Sequence, residues 1–328
     1  MMKNEKLLTI GIPTYNGSKY IASTIATIYS QDGYSKDEVE ILISDNNSDD
    51  NTKQIISELQ KQYPDTISYY LNKTNIGYDK NVNNLFKKAS GKYVQILGDD
   101  DYFTSNSSLS ELIEQLRKND FSVLLFSSIF ENIDSCKKTT NIITKENTAC
   151  HDGNEFFKIS KWSTAAVSSI VVKKDLWNGV NLTKYFATQW IHIGALVHVL
   201  SSKSQSFIFS NPIVTIRIGN PRWESNFGNQ YLAGLTHLEI LMEMKELGYK
   251  PETYTYYLNA RYQKNLRDIL GLGPKDYTKR LEAITKSYDF FKYRPLFWLL
   301  HVPILLIPYK IFRVVIKVIK KFKKVFVK

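Results

Sequence analysis

The chain has 328 residues, of which 43% are hydrophobic and 23% charged, enough to bury a core of about 200–250 residues with a smaller part besides. Its two cysteines, Cys136 and Cys150, form no CxxC pair and have no neighbouring histidine pair; a zinc site and a disulfide scaffold are thereby excluded, and a reducing compartment is expected. The net charge of +11 lies in the tail, because no acidic residue follows Asp289 while ten Lys and Arg do, leaving +1 for residues 1–289; a near-neutral body argues against a nucleic-acid partner.

The first 130 residues alternate strand and helix signals. "MMKNEKLLTIGIP" carries too short an apolar run for a secretory signal and leads into a strand at Leu7–Pro13, so the body is expected in the cytoplasm. Ile21, Ile25 and Ile28 space a helix over Ser18–Tyr29. Val39–Ile43 reads as a second strand, and Asp50–Tyr63 as a helix with Ile55, Ile56 and Leu59 inward, closed by Pro64. Ile67–Leu71, Asp79–Ala89 and Tyr93–Leu97 continue as strand, helix and strand, and Phe121–Phe130 is a fifth apolar run. This alternation predicts an α/β fold with a mostly parallel sheet covered on both faces. Ligands of such sheets sit beyond the carboxyl ends of the strands. The polar clusters "PTYNG", "SDNNSDD", "NKTNIG" and "GDDD" fall at four successive strand ends, as one site assembled from four loops would require.

Residues 131–230 are less regular, with a strand expected at Ser168–Val172 and a helix at Trp190–Leu200. Residues 231–289 read as helical, most clearly in "HLEILMEMKELG", where Gly248 is the stop. Beyond 290, Pro295–Tyr309 is apolar for about 15 residues and broken by Pro303 and Pro308, shorter than the roughly 20 residues a spanning helix needs. A basic stretch with Ile311, Phe312, Val315, Ile316 and Ile319 on one side follows. The pattern predicts an in-plane or re-entrant segment and a basic amphipathic helix on an anionic membrane surface; the alternative is a helix packed on the core with a solvated basic end. The expected domains are 1–230, with a nucleotide-binding half (1–130) and an acceptor half (131–230), then a helical extension over 231–289 and a membrane-associating tail over 290–328.

"ILGDDDYF" places Asp99, Asp100 and Asp101 at the end of a core strand. Adjacent like charges repel most where water is scarce, and a hard divalent cation held by one or two carboxylates would compensate them. The Asp99-x-Asp101 spacing puts two carboxylates on one side of an extended loop. Capping the helix near Ser108–Lys118 is the alternative use, for which one aspartate suffices.

Four motifs occur in order: "TIGIPTYNGSKYIASTIATIYSQ", "EILISDNNSDDNT", "NKTNIGYDKNVNNLFKKASGKY" and "ILGDDDYF". Together they resemble the family 2 glycosyltransferases, which have a GT-A, nucleotide-diphosphosugar-binding fold. The resemblance covers about residues 7–130. It implies that Pro13, Thr14, Tyr15 and Asn16 line the base and ribose pocket and that Asp45 hydrogen-bonds the base. Asn46 stands where a second aspartate is common. Asn75, Gly77, Asp79 and Lys80 match the loop beside the nucleotide. The metal-binding DxD motif falls on Asp99, Asp100 and Asp101, with Gly98 where the first aspartate usually stands; Asp99 and Asp101 are the expected Mn²⁺ or Mg²⁺ ligands. The chemistry implied is inverting transfer of a sugar from a nucleotide-diphosphate donor to a lipid-linked or cell-envelope glycan, at the cytoplasmic face of the membrane.

Each motif also has a plainer use: a turn at Asn16–Gly17, a cap by Asp45, an exposed helix lysine at Lys80. The general base of this family is usually a carboxylate in the second half, yet no acidic pair precedes the helix in "YFATQWIHIGAL". His192 is the candidate, its ordinary pKa suiting the task, with Asp152 and Glu155 as further candidates and Gln189 and Trp190 beside it. Trp190 is a candidate to stack on a sugar, and core packing is its other use. Arg217, Arg222 and Trp223 lie in "TIRIGNPRWESN" and are candidates to reach the diphosphate or close over the site, or to form surface salt bridges. A nucleotidyltransferase and a non-catalytic sugar-nucleotide or lipid-surface binding module are the competing functions.

Overall fold

The computed structural model describes residues 6–201, 204–220, 230–272, 277–307 and 311. The expectations for Arg222, Trp223 and the basic stretch from Phe312 onward lie outside these residues. The chain divides into two compact units. One comprises residues 1–220 together with 246–249, and the other comprises 221–245 together with 250–328.

In the first unit, ten strands form one sheet. Strand β1 (Lys6–Thr14) pairs in parallel with β2 (Val39–Asp45) and β4 (Gly91–Ile96), and β2 pairs in parallel with β3 (Ile67–Leu71). The remaining strands are β5 (Tyr102–Phe103), β6 (Val123–Asn132), β7 (Lys138–Asn141), β8 (Thr148–Cys150), β9 (Ile170–Lys173) and β10 (Ser206–Ile218). The order runs β3-β2-β1-β4-β9-β6-β10-β5. Strand β9 is antiparallel to both β4 and β6, while β10 is parallel to β6. The sheet is therefore mixed: four strand pairings are parallel and five antiparallel, the parallel ones joining β1 through β4 and β6 with β10. Strand β10 was not specified in advance: it carries Pro212, which cannot donate to a ladder, and the register shifts on either side of that residue.

The alternation of β1 assigns its two faces. Leu8, Ile10 and Ile12 are fully buried in a core shared with Ile41 and Ile43 of β2, with Ile21, Ile25 and Ile28 of α1 (Ile21–Tyr29), and with Leu109, Leu112, Ile113 and Leu116 of α4 (Ser108–Lys118). Helix α2 (Thr52–Gln62) joins that face through Ile56 and Leu59. Gly11 points the other way, where a Cβ would stand 2.3 Å from Leu85 Cδ2 of α3 (Tyr78–Lys88); glycine lets the helix lie directly on the sheet. Phe86 of α3 stacks on Trp177 of α6 (Lys174–Asn178) with ring centroids 3.8 Å apart, and Trp177 Nε1 donates to Asn83 Oδ1 at 3.2 Å. Helices α5 (Gly153–Ser160) and α7 (Ile191–Val199) complete the unit. The returning residues 246–249 belong to it: Tyr249 Oη donates to the Val197 carbonyl at 2.8 Å, and its ring meets Phe157 edge to face.

The second unit is helical: α8 (Gln230–Met242), α9 (Pro251–Leu272), α10 (Tyr277–Phe291), a π-helical turn at Phe297–His301 and α11 (Val302–Leu306). Phe291, Phe297 and His301 are buried in an aromatic cluster with Tyr262. No helix among the described residues is long and apolar enough to cross a membrane.

Trp177 is fully buried, and truncating such a side chain costs about 3–5 kcal/mol. Trp177→Ala is expected to lower unfolding stability by that amount, read as a shift in the urea midpoint at constant slope.

Candidate active site

The register Thr14↔Asp45↔Leu71 brings the ends of β1, β2 and β3 to one level. The acidic turn after β4 reaches the same rim, because Thr14 Oγ1 donates to Asp99 Oδ2 at 2.6 Å. A Cβ at Gly17 would stand 2.3 Å from Thr14 Oγ1 and 2.4 Å from Asp99 Oδ2, so glycine there is the condition for this contact.

The turn is held by donors from distant elements. The Asp101 amide donates to the Gly98 carbonyl at 3.0 Å, folding the third aspartate back over Gly98. Ser168 Oγ donates to Asp101 Oδ2 at 2.5 Å and accepts from the Gly98 amide at 3.0 Å. Asp101 Oδ1 accepts from the Arg217 amide at 2.9 Å, Arg217 Nη1 donates to the Asp100 carbonyl at 2.6 Å, and Asn220 Nδ2 donates to Asp100 Oδ2 at 2.6 Å. The Arg217 guanidinium lies over the Tyr102 ring at 4.6 Å. Burial, and then the Asp100 charge, push the Asp101 carboxyl up to about 8, with Asp99 adding to the rise; the Ser168 and Arg217 bonds oppose it. A Cβ at position 98 would stand 2.7 Å from Asp101 Oδ2, which explains why glycine replaces the usual first aspartate. The turn is built around a folded-back third carboxylate.

The loops after β1, β2 and β3 are knitted together by neutral groups. Asn16 is left-handed (φ 55°), its amide donates to Ser48 Oγ at 2.9 Å and its Oδ1 accepts from the Asp49 amide at 2.8 Å. Tyr15 is partly exposed, with its hydroxyl on Asp49 at 3.1 Å. Asn46 Nδ2 donates to Asn75 Oδ1 at 2.7 Å, while its Oδ1 accepts from the Ile76 amide at 2.9 Å. Gly77, at φ 84°, starts α3 in a conformation that favours glycine. Asn81, missed in the sequence, bonds Ser44 Oγ, the Ser44 carbonyl and Asn72 Nδ2 at 2.7–2.8 Å. Its signal was a buried asparagine one helical turn past a strand-end loop.

Several expected roles change in the structure. Asp45 is fully buried and its carboxylate accepts from the Ser48 amide and hydroxyl and from Tyr69 Oη at 2.7–2.8 Å; those bonds make it the cap of its own loop. Asp79 is buried and turned toward the 187–191 loop, accepting from the Gln189 amide at 2.8 Å and the Ile191 amide at 3.1 Å. Desolvation raises its pKa against those bonds. Lys80 is exposed, with its ammonium 5.7 Å from the Phe186 ring centroid. Asp152 accepts from the Glu155 amide at 2.8 Å as the N-cap of α5, and Glu155 accepts from the amide of His151, the residue before that cap, at 2.9 Å. That use replaces the expectation of either as general base. His192 is buried, with the main chain of Ala165 beside its ring, and desolvation lowers its pKa to about 3. A ring held neutral so far below pH 7 is a weak base, so its expected catalytic role is replaced by packing.

Comparison with known proteins decides the family. Residues 9–173 match the profile of Glycosyl transferase family 2, half of the chain. The chain belongs to glycosyl transferase family 2. It is 29% identical over 266 residues to the GalNAc(5)-diNAcBac-PP-undecaprenol beta-1,3-glucosyltransferase of Campylobacter jejuni, covering 79% of this chain and 83% of that protein. To abequosyltransferase RfbV of Salmonella typhimurium it is 26% identical over 231 residues, covering 66% and 68%. The crystal structure of S. aureus TarS 1–349 in complex with UDP-GlcNAc superposes with a TM-score of 0.65 at 17% identity, over 88% of this chain and 82% of that one. The fold is thus the GT-A glycosyltransferase fold, with the acidic turn and the three strand-end loops on one rim.

The pKa of His192, about 3 in the fold against an ordinary 6.5, means the unfolded chain binds an extra proton between those values. The corresponding stability is complete above pH 6.5 and is lost as pH falls toward 3, at about 1.4 kcal/mol per unit. His192→Leu is expected to remove about 2–3 kcal/mol of the stability lost by wild type between pH 7 and 4.5, measured by urea unfolding at both pH values.

Proposed function

We propose that this family 2 glycosyltransferase moves a sugar from a nucleotide-diphosphate donor to a lipid-linked or cell-envelope glycan, with inversion and with a divalent metal, at the cytoplasmic face of the membrane. One observation carries the reading: three buried aspartates converge at the strand-end rim of a GT-A sheet and are bonded to Thr14, Ser168, Arg217 and Asn220. Two relatives act, by their names, on an undecaprenol-linked glycan and as an abequosyltransferase, which supports the acceptor and donor classes.

The donor set fits Mn²⁺ or Mg²⁺. Both are hard ions that take one or two carboxylates and complete their shell with phosphate oxygens and water. Among the described residues no three His, Cys, Asp or Glu side chains form a metal cage, and such ions do not need one. Burial first, and then the Asp100 charge, raises the Asp101 carboxyl, and a bound cation would offset both by favouring the charged form. Asp101 uses two acceptor positions in its bonds to Ser168 and Arg217, and a carboxylate offers about four. Asp99 and Asp101 would hold the ion, with Asp100 adjacent; when bound, it supplies charge neutralisation for the departing nucleoside diphosphate. Thr14 orients Asp99, and Ser168 and Arg217 orient Asp101. Pro13, Tyr15, Asn16, Asn46, Asn75 and Gly77 form the rim on which base and ribose would rest. The acceptor hydroxyl attacks the anomeric carbon from the face opposite the leaving group, which inverts its configuration.

The exposed side chains of the second unit support the reading of membrane association. Tyr293 is 88% exposed and Leu299 69%, and Leu296, Trp298, Leu300 and Leu306 are also exposed, whereas Phe297, His301 and Leu305 are buried. The segment thus buries some of its apolar side chains and exposes others, and ten basic residues lie in the sequence after Asp289. That pairing suits a shallow in-plane contact with anionic lipid.

Calorimetry with Mn²⁺ and a panel of uridine, guanosine, cytidine and thymidine diphosphates is expected to show binding of at least one nucleotide. Asp99→Asn and Asp101→Asn should each weaken it by about tenfold or more; unchanged binding would reject the metal assignment. Truncation after Ile307 combined with Trp298→Ala and Leu299→Ser should abolish co-sedimentation with phosphatidylglycerol vesicles. Undiminished sedimentation would reject the membrane contact.

A further inference from the structure

The loop before α7 is the most constrained segment of the first unit. Ala187 (φ 69°) and Gln189 (φ 66°) both lie in the left-handed region although neither is glycine. Side chains resist that conformation, and it persists where the surroundings impose it. Here the surroundings are a set of bonds to every amide from Thr188 to Ile191. The Thr188 amide donates to the Tyr185 carbonyl at 3.2 Å and the Trp190 amide to Thr188 Oγ1 at 3.0 Å. The Gln189 and Ile191 amides donate to the two oxygens of Asp79. Two alternate amides of the loop thus converge on one carboxylate, which comes from α3, more than a hundred residues away.

The loop is linked to the acidic turn through its neighbours. Tyr78 precedes Asp79, and burial first, then the charges of Asp79, Asp101 and Asp99, raises its phenol. On the other side the main chain of Ala165 lies beside the His192 ring, and Ser168, three residues on, bonds Asp101. Between these supports the loop carries Gln189 and Trp190, both half-buried.

We infer that Asp79 is a positioning residue: its buried carboxylate holds the Ala187–Ile191 loop in its left-handed form, setting Gln189 and Trp190 at the acceptor side of the transfer site. The inference rests on the glycosyl-transfer reading for the meaning of that side, and on the loop geometry for the clamp. Asp79 was expected to touch the nucleotide; its bonds instead tie the helix after β3 to the segment that opens α7.

Three readings on the full-length protein test it. Amide exchange of the peptide spanning 183–193 should quicken at least tenfold in Asp79→Asn, which places an amide N–H against an amide N–H, while exchange in β1 and β4 stays as in wild type. The affinity for the nucleoside diphosphate that binds wild type with Mn²⁺ should remain within twofold. With that donor and a total lipid extract of bacterial membranes as acceptor source, the apparent KM for the extract should rise at least fivefold and that for the donor should not. If Asp79→Asn fails to fold cooperatively, Asp79→Glu is measured in the same way; it keeps the charge but sets the carboxylate one methylene too far, and the same local exchange is expected. Unchanged exchange over 183–193 would overturn the clamp, and loss of nucleotide affinity with an unaltered extract KM would return Asp79 to the nucleotide. Failure of wild type to bind any nucleoside diphosphate would reject the transfer reading itself, and the exchange data would still decide the clamp.

Discussion

The Asp99–Thr14 bond is the contact on which the site's construction turns. It ties the acidic turn after β4 to the end of β1 and fixes where the turn can reach. Its consequences spread outward: Gly17 must lack a side chain, Gly98 must leave room for Asp101, and Ser168 must bridge the Gly98 amide and the Asp101 carboxylate. Three adjacent carboxylates at a buried turn would repel one another without such support. Each leans on a donor from a different stretch of chain. Arg217 and Asn220 of the β10 end close the turn from the side opposite Thr14, so both halves of the first unit contribute to one constellation.

The rest of the rim works on a different principle. Around the ends of β2 and β3 the side chains that meet are Asn46, Asn72, Asn75 and Asn81. An amide both donates and accepts, so such a network fixes loop geometry without adding negative charge beside the aspartates. The carboxylates that occur here, among them Asp45, Asp49, Asp50 and Asp79, accept from hydroxyls and main-chain amides. The rim therefore gathers its three adjacent carboxylates in the one turn where a cation and a diphosphate would meet.

Much of this was legible in the sequence. The strands β1 to β4 and their helices followed from apolar periodicity and turn chemistry; β3 has the expected ends, and no end of the others moves by more than three residues. The acidic turn was recognisable because three aspartates at a strand end demand an explanation. Partners were not legible. Asp45 and Asp79 carry the right chemistry for a ligand, but nothing local says that Tyr69 or the amides of residues 189 and 191 will claim them. His192 has a suitable side chain, and only burial reveals that it stays neutral. Asp152 and Glu155 were within reach, since Asp-x-x-Glu ahead of an apolar run is the spacing of a capping box. Strand β10 was hidden by Pro212, whose tolerance depends on a register shift that no local pattern announces.

The return of residues 246–249 to the first unit has a practical consequence. Tyr249 closes over α5 and α7 by its bond to Val197 and its contact with Phe157, yet it is reached only after the chain has passed through α8. The sheet-bearing half is thus discontinuous in covalent order. A protease cut in the segment following Asn220 would nick the polypeptide without releasing that half intact, and a recombinant fragment stopping there would carry an unfilled notch where the phenol belongs. Evolutionary exchange of the helical half between relatives faces the same obstacle, since any graft must preserve three crossings of the boundary before α9.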